Sequence, residues 1–163
     1  MIKRYISIFL LFSLISCKDK GAEKSEKFIK NSKGEIYIVI LETCKWREAT
    51  PTFLTKGEVE TISKILPKAV KKMNLDLKKM FKDSPSEWSN ISVNLNDYKR
   101  QYIPYIIKKN GEKEVYIFCF CHAHNDKWKT QEMIVDGGGK CYFYGTINLN
   151  TGKFRDFMIN APV

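Results

Sequence analysis

The sequence is poor in histidine: its 163 residues include only two, His122 and His124, and they lie in one short stretch. A catalytic arrangement built on histidine therefore has few positions to draw on. The sequence also lacks a Gly-x-Ser-x-Gly nucleophile motif, and its glycine-rich stretch at residues 136–139 is not followed by the Lys-Ser/Thr pair of a phosphate-binding loop. With no catalytic signature and no cofactor motif, we predict a protein that is not an enzyme and needs no cofactor.

Long apolar runs are missing too, and none reaches the roughly 20 residues that a membrane-spanning helix needs. The main apolar stretch, residues 5–14, follows the basic residues Lys3 and Arg4, and its length is typical of the apolar part of an export signal. It stops before Cys17, after which the sequence becomes charged. The pattern predicts a signal peptide at residues 1–16 that is removed, and not a retained membrane anchor.

The residues Leu14, Ile15, Ser16 and Cys17 resemble the lipobox of bacterial lipoprotein precursors, in which a branched apolar, a permissive and a small residue precede a cysteine. The resemblance implies cleavage after Ser16 and lipidation of the Cys17 thiol. Several acyl chains hold a protein stably at a bilayer, because each buried methylene contributes about 0.8 kcal/mol. We therefore expect a lipid-anchored protein of the cell envelope, with the outer membrane preferred and the domain in the periplasm or at the cell surface. The alternative is an ordinary secretory signal with a coincidental cysteine.

Residues 17–33 carry the predicted lipid and are polar and mixed in charge, which is typical of a flexible tether. Residues 34–163 are enough for a single domain with its own core. The formal net charge is +10, and the lysines are spread along the chain without a reading helix, an RRM or a zinc-finger pattern. We expect no nucleic-acid partner and interpret the charge as a solvated basic surface near a membrane.

One long helix is predicted in the domain. Thr55 and Glu58 fit a capping box, so the helix should begin at Lys56. Its apolar residues recur at steps of three and four, which predicts one buried face: Val59, Ile62, Leu66, Ala69 and Met73. Because proline removes a helical hydrogen bond, we expect a kink at Pro67 or a break near Lys64.

The remaining segments have the composition of strands and turns. Asn110-Gly111 and the stretch at residues 150–152 predict two hairpin turns, and Pro104 predicts a bulge or an edge position in its strand. The predicted strands are residues 36–41, 100–108, 114–121, 130–135, 140–149 and 153–160. Their order predicts an α+β fold, with one main helix packed on a four- to five-stranded antiparallel meander sheet, cystatin-like in plan.

From Tyr98 onward, short segments resemble a group of small Bacteroidetes proteins; among them are Cys119-Phe120-Cys121, Trp128-Lys129 and Cys141-Tyr142-Phe143. That group has no assigned activity, so the resemblance implies no function. The cystatin-like plan comes without an inhibitory loop motif. A cystatin-type protease inhibitor is therefore kept only as an alternative.

Thiols and imidazoles, the ligands that zinc prefers, are concentrated at Cys119, Cys121, His122 and His124. Neighbouring residues of a strand point to opposite faces, so Cys121 and His122 can approach one point only after the strand ends. The spacing also lacks the separated ligand pairs of structural zinc sites. We predict no metal site here, and keep a redox or metal-binding protein centred on these four residues as an alternative function.

Four cysteines remain besides Cys17, and the thiols of exported proteins tend to oxidise. Strand geometry disfavours a bridge between Cys119 and Cys121, whereas the glycines before Cys141 allow its strand to return beside the end of the Cys121 strand. We therefore predict a disulfide between Cys121 and Cys141. Cys44 has no predicted partner.

Aromatic residues fall on both faces of the predicted strands, but one helix covers only one face. The other face must contact loops, a second copy of the chain or a ligand. We therefore predict a membrane-tethered envelope protein with a binding or structural role, and place its protein or small-molecule ligand on the sheet face.

Overall fold

The computed structural model describes residues 28–31, 34–38, 48–84, 91–123 and 125–161, and the signal peptide, Cys17, Cys44 and His124 lie outside these ranges. Within them one helix packs on one sheet, which confirms the predicted α+β class. The elements are β1 (Phe28–Asn31), β2 (Gly34–Ile38), β3 (Ala49–Pro51), α1 (Lys56–Met80), β4 (Lys99–Ile107), β5 (Lys113–Phe120), β6 (Tyr142–Asn148) and β7 (Phe154–Ile159).

The four strands β4 to β7 form the predicted antiparallel meander. Gly111 in the first hairpin turn and Gly152 in the last one have positive φ angles of 72° and 70°, as such turns require. The sheet of the described residues is larger than predicted, with seven strands in the order β1-β2-β4-β5-β6-β7 and β3 also on β4. The additional pairing includes one parallel pair, β2 with β4, because the chain crosses over through α1 between them.

The backbone of residues 28–31, which falls inside the predicted tether, pairs antiparallel with β2. The register runs from Phe28 opposite Tyr37 to Asn31 opposite Gly34. Ladder hydrogen bonds join backbone to backbone, so a short strand of this kind needs no apolar periodicity in its sequence. The described sheet therefore begins before residue 34.

Helix α1 begins at Lys56, as predicted, with both hydrogen bonds of the capping box: the Glu58 amide donates to Thr55 Oγ1 over 3.3 Å, and the Thr55 amide donates to Glu58 Oε2 over 2.7 Å. The predicted break near Lys64 is wrong, since the helix continues through Pro67 to Met80. Pro67 is exposed, so its missing bond lies on the solvent side, while the buried face packs without interruption. Within the described residues no helix combines the length and the apolar character needed to cross a bilayer.

The face of the sheet that α1 covers is called the helix face and includes Val115, Ile117 and Cys119 of β5, all fully buried. The start of α1 is joined to β5 by an ion pair of 2.7 Å between Glu58 and Lys113. Burial alone would raise the pKa of Glu58, but hydrogen bonds from Lys113 and Thr55 outweigh it and hold that pKa below its usual value.

Pro104 occupies neither a bulge nor an edge strand, contrary to the prediction. It lies in β4 opposite Val115 of β5, in a ladder whose register is continuous. On the other side of β4, β2 pairs with residues 100–102 and β3 with residues 105–107. Pro104 falls between these two pairings, so its missing N–H interrupts neither of them.

Candidate functional site at the disulfide end of the sheet

Cys121 and Cys141 lie side by side at one end of the sheet. Strand β5 ends at Phe120, whose partner Tyr142 begins β6, so each cysteine is one residue beyond the last strand pair. The Cys121 amide donates to the Cys141 carbonyl over 3.0 Å, and the two Cα atoms are 5.1 Å apart. The structure joins the two residues in a disulfide, the pair proposed from the sequence.

His122 completes a cluster with this disulfide. The ligand atoms of Cys121, His122 and Cys141 all lie within 4.8 Å of one another. Adjacent residues can meet in this way because β5 has ended at Phe120, which releases His122 from the alternation of the strand. The His122 side chain is exposed, and both cysteines are partly buried. As thiolates the two sulfurs are soft ligands and imidazole is a borderline one, but in the disulfide the sulfurs are bonded to each other.

Of the four residues proposed as metal ligands, the structure brings only Cys121 and His122 together in this cluster. Cys119 is fully buried in the helix-face core, and His124 lies outside the described residues. The third member of the cluster, Cys141, is 20 residues away in sequence, so the spacing within residues 119–124 gave no sign of it. The predicted disulfide between Cys121 and Cys141 did indicate that Cys141 lies beside this stretch.

The Cys119 thiol lies in surroundings that make it unreactive. Burial raises its pKa from 9.0 to about 12, and the nearby Arg100 guanidinium lowers that pKa by a smaller amount. Because the thiolate is the reactive form, a thiol that stays protonated at neutral pH is a poor nucleophile and a poor ligand. Cys119 acts here as a small apolar core residue.

The other face of the sheet, the loop face, carries Phe118 and Phe120 and is covered by residues 125–138. Trp128 of this segment, only 3% exposed, packs edge-on against Phe120 at a centroid distance of 4.9 Å. The strand predicted at residues 130–135 is wrong, since these residues pair with no strand. The sequence left three possible covers for this face: loops, a second copy of the chain or a ligand. Among the described residues, the loop 125–138 covers it.

A buried amide on β4 holds this loop in place. Gln101 is fully buried on the loop face, and its Nε2 donates to the carbonyls of Trp128 and Gln131, the latter over 2.6 Å. The Met133 amide in turn donates to Gln101 Oε1 over 2.9 Å. The loop backbone therefore satisfies its buried polar groups through a side chain instead of a strand partner.

A second amide, from Asn160, holds the end of the loop by donating to the carbonyls of Val135 and Gly137 over 2.7 and 2.8 Å. The glycines that follow turn the chain toward β6, and Gly137, Gly138 and Gly139 have positive φ angles of 77°, 82° and 54°. Glycine adopts such angles without steric strain, so this stretch forms the turn that leads into β6. The disulfide lies directly after the turn and closes the segment.

An open groove lies on the helix side of the sheet, between α1 and the segment 91–96, with a volume of about 640 Å³. Asn74 fixes the segment to the helix, because its amide both donates to the Val93 carbonyl and accepts from the Val93 N–H, each over 2.9 Å. The groove combines apolar walls with two lysines: its lining includes Val70, Leu75, Ile91, Leu95, Lys71 and Lys78. No local sequence pattern predicts this groove, because it depends on how the segment 91–96 packs against α1.

A buried carboxylate was also missed. Glu114 of β5 is 4% exposed on the loop face, where it accepts hydrogen bonds from Tyr105 over 2.8 Å and from Arg155 over 2.6 Å. The Asp156 carboxylate shares the same guanidinium. All charges of this cluster are paired, so we interpret it as part of the fold.

Similarity to known proteins assigns no family to the chain. No protein-family model matches it, no curated protein matches it, and no solved structure matches it. The resemblances to lipoprotein precursors and to small Bacteroidetes proteins therefore stay predictions from the sequence.

Proposed function

We propose that this chain is an exported lipoprotein, acylated on Cys17, whose domain is a non-enzymatic binding module of the cell envelope. The observation that carries the proposal is the disulfide between Cys121 and Cys141. Structural disulfides form and persist outside the reducing cytoplasm. The disulfide and the lipobox-like residues are independent features, one in the fold and one in the N-terminal sequence, and both favour export.

The described sheet defines the length of the tether in this proposal. Its first residue is Phe28, eleven residues after Cys17. A fully extended chain spans at most about 3.6 Å per residue, so the domain stays within roughly 40 Å of the bilayer surface. A domain held this close binds partners that are themselves at the membrane or reach it through the envelope.

The groove beside α1 supports the binding role better than the sheet does. Residues 125–138 cover much of the loop face, whereas the groove is open and its volume of about 640 Å³ is in the usual range for small-ligand sites. Apolar walls with Lys71 and Lys78 at the groove favour a ligand with an apolar body and a negative charge. We therefore propose that the ligand binds in the groove and not on the sheet face, where the sequence alone had placed it.

Replacing Cys17 with serine tests the anchor. In the producing bacterium we expect the Cys17→Ser variant to incorporate no labelled palmitate and to leave the membrane fraction. The Cys119→Ser variant serves as the control, since its thiol is buried in the core, and should be labelled and fractionated like the parent. Palmitate labelling that persists in Cys17→Ser would overturn the proposal.

An anionic, aromatic fluorescent dye, anilinonaphthalene sulfonate, tests the groove. We expect dye binding by the parent and a clear loss in Leu75→Glu, because Leu75 is 53% exposed and lines the groove. Met80→Glu is the matched control, since Met80 is an exposed apolar residue of the same helix that does not line the groove. Equal dye binding by the two variants would contradict a ligand site in the groove.

A further inference from the structure

The cluster of Cys121, His122 and Cys141 has a chemistry that the oxidised disulfide does not use. Three ligand atoms, two sulfurs and one imidazole nitrogen, lie within 4.8 Å of one another at the surface. In a tetrahedral zinc site, with metal–sulfur bonds near 2.3 Å and metal–nitrogen bonds near 2.0 Å, the ligand atoms lie about 3.3 to 3.8 Å apart. We propose that reduction of this disulfide creates a binding site for a divalent ion of the zinc type.

The backbone already holds the three residues in the positions that such a site needs. Cys121 and Cys141 follow and precede paired strands, and the hydrogen bond between their backbones, 3.0 Å long, keeps them adjacent when the sulfurs separate. The sulfurs then need to move apart by about 2 Å, from a covalent bond to the edge of a coordination tetrahedron. His122 is exposed and follows Cys121 directly, so its ring can turn toward the ion with no change in the core.

The step is balanced with an external dithiol as the reductant. The dithiol gives two electrons and two protons to the Cys121–Cys141 bond and becomes a cyclic disulfide, leaving two thiols on the protein. The ion then replaces the two thiol protons, which are released to solvent, and binds the neutral imidazole as a third ligand. The three protein ligands found among the described residues leave a fourth position for water, as in zinc sites that stay open to exchange.

The ion would replace the disulfide as the closure of the loop over Phe118 and Phe120. The covalent bond closes a segment of 20 residues, which contains Trp128 and the contacts to Gln101. A metal bound by Cys121 and Cys141 closes the same segment at the same point. The site is thus a redox-dependent alternative, with a disulfide under oxidising conditions and a metal clip under reducing ones.

Cobalt(II) is the probe for the test, because thiolate ligation and tetrahedral geometry both appear in its absorption spectrum. The full chain, solubilised in detergent and carrying Cys44→Ser so that this thiol does not compete, is reduced with a dithiol, freed of reductant without air and titrated with Co²⁺. We expect one equivalent to bind with a thiolate-to-metal band, to be displaced by Zn²⁺, and to be absent from the oxidised protein.

Two pairs of variants separate this site from other thiols and imidazoles. His122→Ala should weaken Co²⁺ binding by more than about tenfold, since even partners outside the first coordination sphere contribute about 10- to 100-fold, whereas His124→Ala should bind like the parent. Cys141→Ser should lose the thiolate band, and Cys119→Ser should keep it. No binding by the reduced chain, or equal affinities of His122→Ala and the parent, would overturn the proposal.

Discussion

Replacing Gln101 with leucine removes the amide that holds residues 125–138 on the loop face. The substitution removes three hydrogen bonds that Gln101 makes with the loop backbone, to the carbonyls of Trp128 and Gln131 and from the N–H of Met133. Each such hydrogen bond contributes about 1 kcal/mol net, and a buried group left unsatisfied costs about 1 to 3 kcal/mol. Three bonds therefore predict a loss of about 3 kcal/mol, a large part of the roughly 5 to 15 kcal/mol that stabilises a domain.

The assay is urea unfolding of Gln101→Leu followed by tryptophan fluorescence, with amide hydrogen exchange at Met133 as a local readout. Gln131→Leu is the matched control, because the Gln131 side chain is exposed and only its backbone carbonyl contacts Gln101. We expect a lower free energy of unfolding and faster exchange at Met133 in the first variant and neither change in the second. A free energy of unfolding within about 0.5 kcal/mol of the parent would refute the assigned role of Gln101.

Three further outcomes are expected. Cys141→Ser should lower the free energy of unfolding by about 3 kcal/mol, the entropy expected for closing a loop of 20 residues, and a reductant should shift the unfolding midpoint of the parent but not that of the variant. Burial raises the pKa of Cys119 from 9.0 to about 12, so the folded state keeps a proton that the unfolded state releases. The free energy of unfolding should therefore fall as the pH rises above 9. Unfolding measured between about pH 7 and 10 should show a shallower fall in Cys119→Ala than in the parent. Pro67→Ala should raise the thermal midpoint, with a gain of at most about 3 kcal/mol, because it restores a helix donor at an exposed position; an unchanged midpoint would show that the helix has already adapted to the proline.

The helix and the hairpins were predictable because their signals are local. The capping box at Thr55 and Glu58 spans four residues, and the buried stripe of α1 follows from the helical repeat. Asn110-Gly111 needs only its own backbone preference to turn the chain. The residues that determine such an element lie within one short stretch of sequence, so the sequence alone predicts it.

The loop over Phe118 and Phe120 was misread because its partners are remote. Residues 130–135 have the composition of a strand, but their backbone is bound by Gln101, about 30 residues earlier, and by Asn160, about 25 residues later. No pattern within the loop indicates which side chain will satisfy it. The parallel pairing of β2 with β4 was missed for a similar reason, since it depends on where the chain returns after α1.

The candidate site was predicted in part. The pairing of Cys121 with Cys141 follows from where two strands end, which the turn signals indicate. The position of His122 depends on the residue at which β5 ends, and a difference of one residue would move the imidazole to the opposite face. Such a boundary is below the precision of a sequence pattern.

Both Gln101 and Asn160 hold the loop through hydrogen bonds to its main chain. Main-chain atoms are the same for nearly every residue type, so these hydrogen bonds do not depend on which side chains the loop presents to solvent. Ile134 is 84% exposed and lies between Met133 and Val135, which hydrogen-bond to Gln101 and Asn160. It can therefore be exchanged for almost any residue while the protein keeps its fold. Related chains are free to diversify at this position, and libraries of variants built there should remain folded.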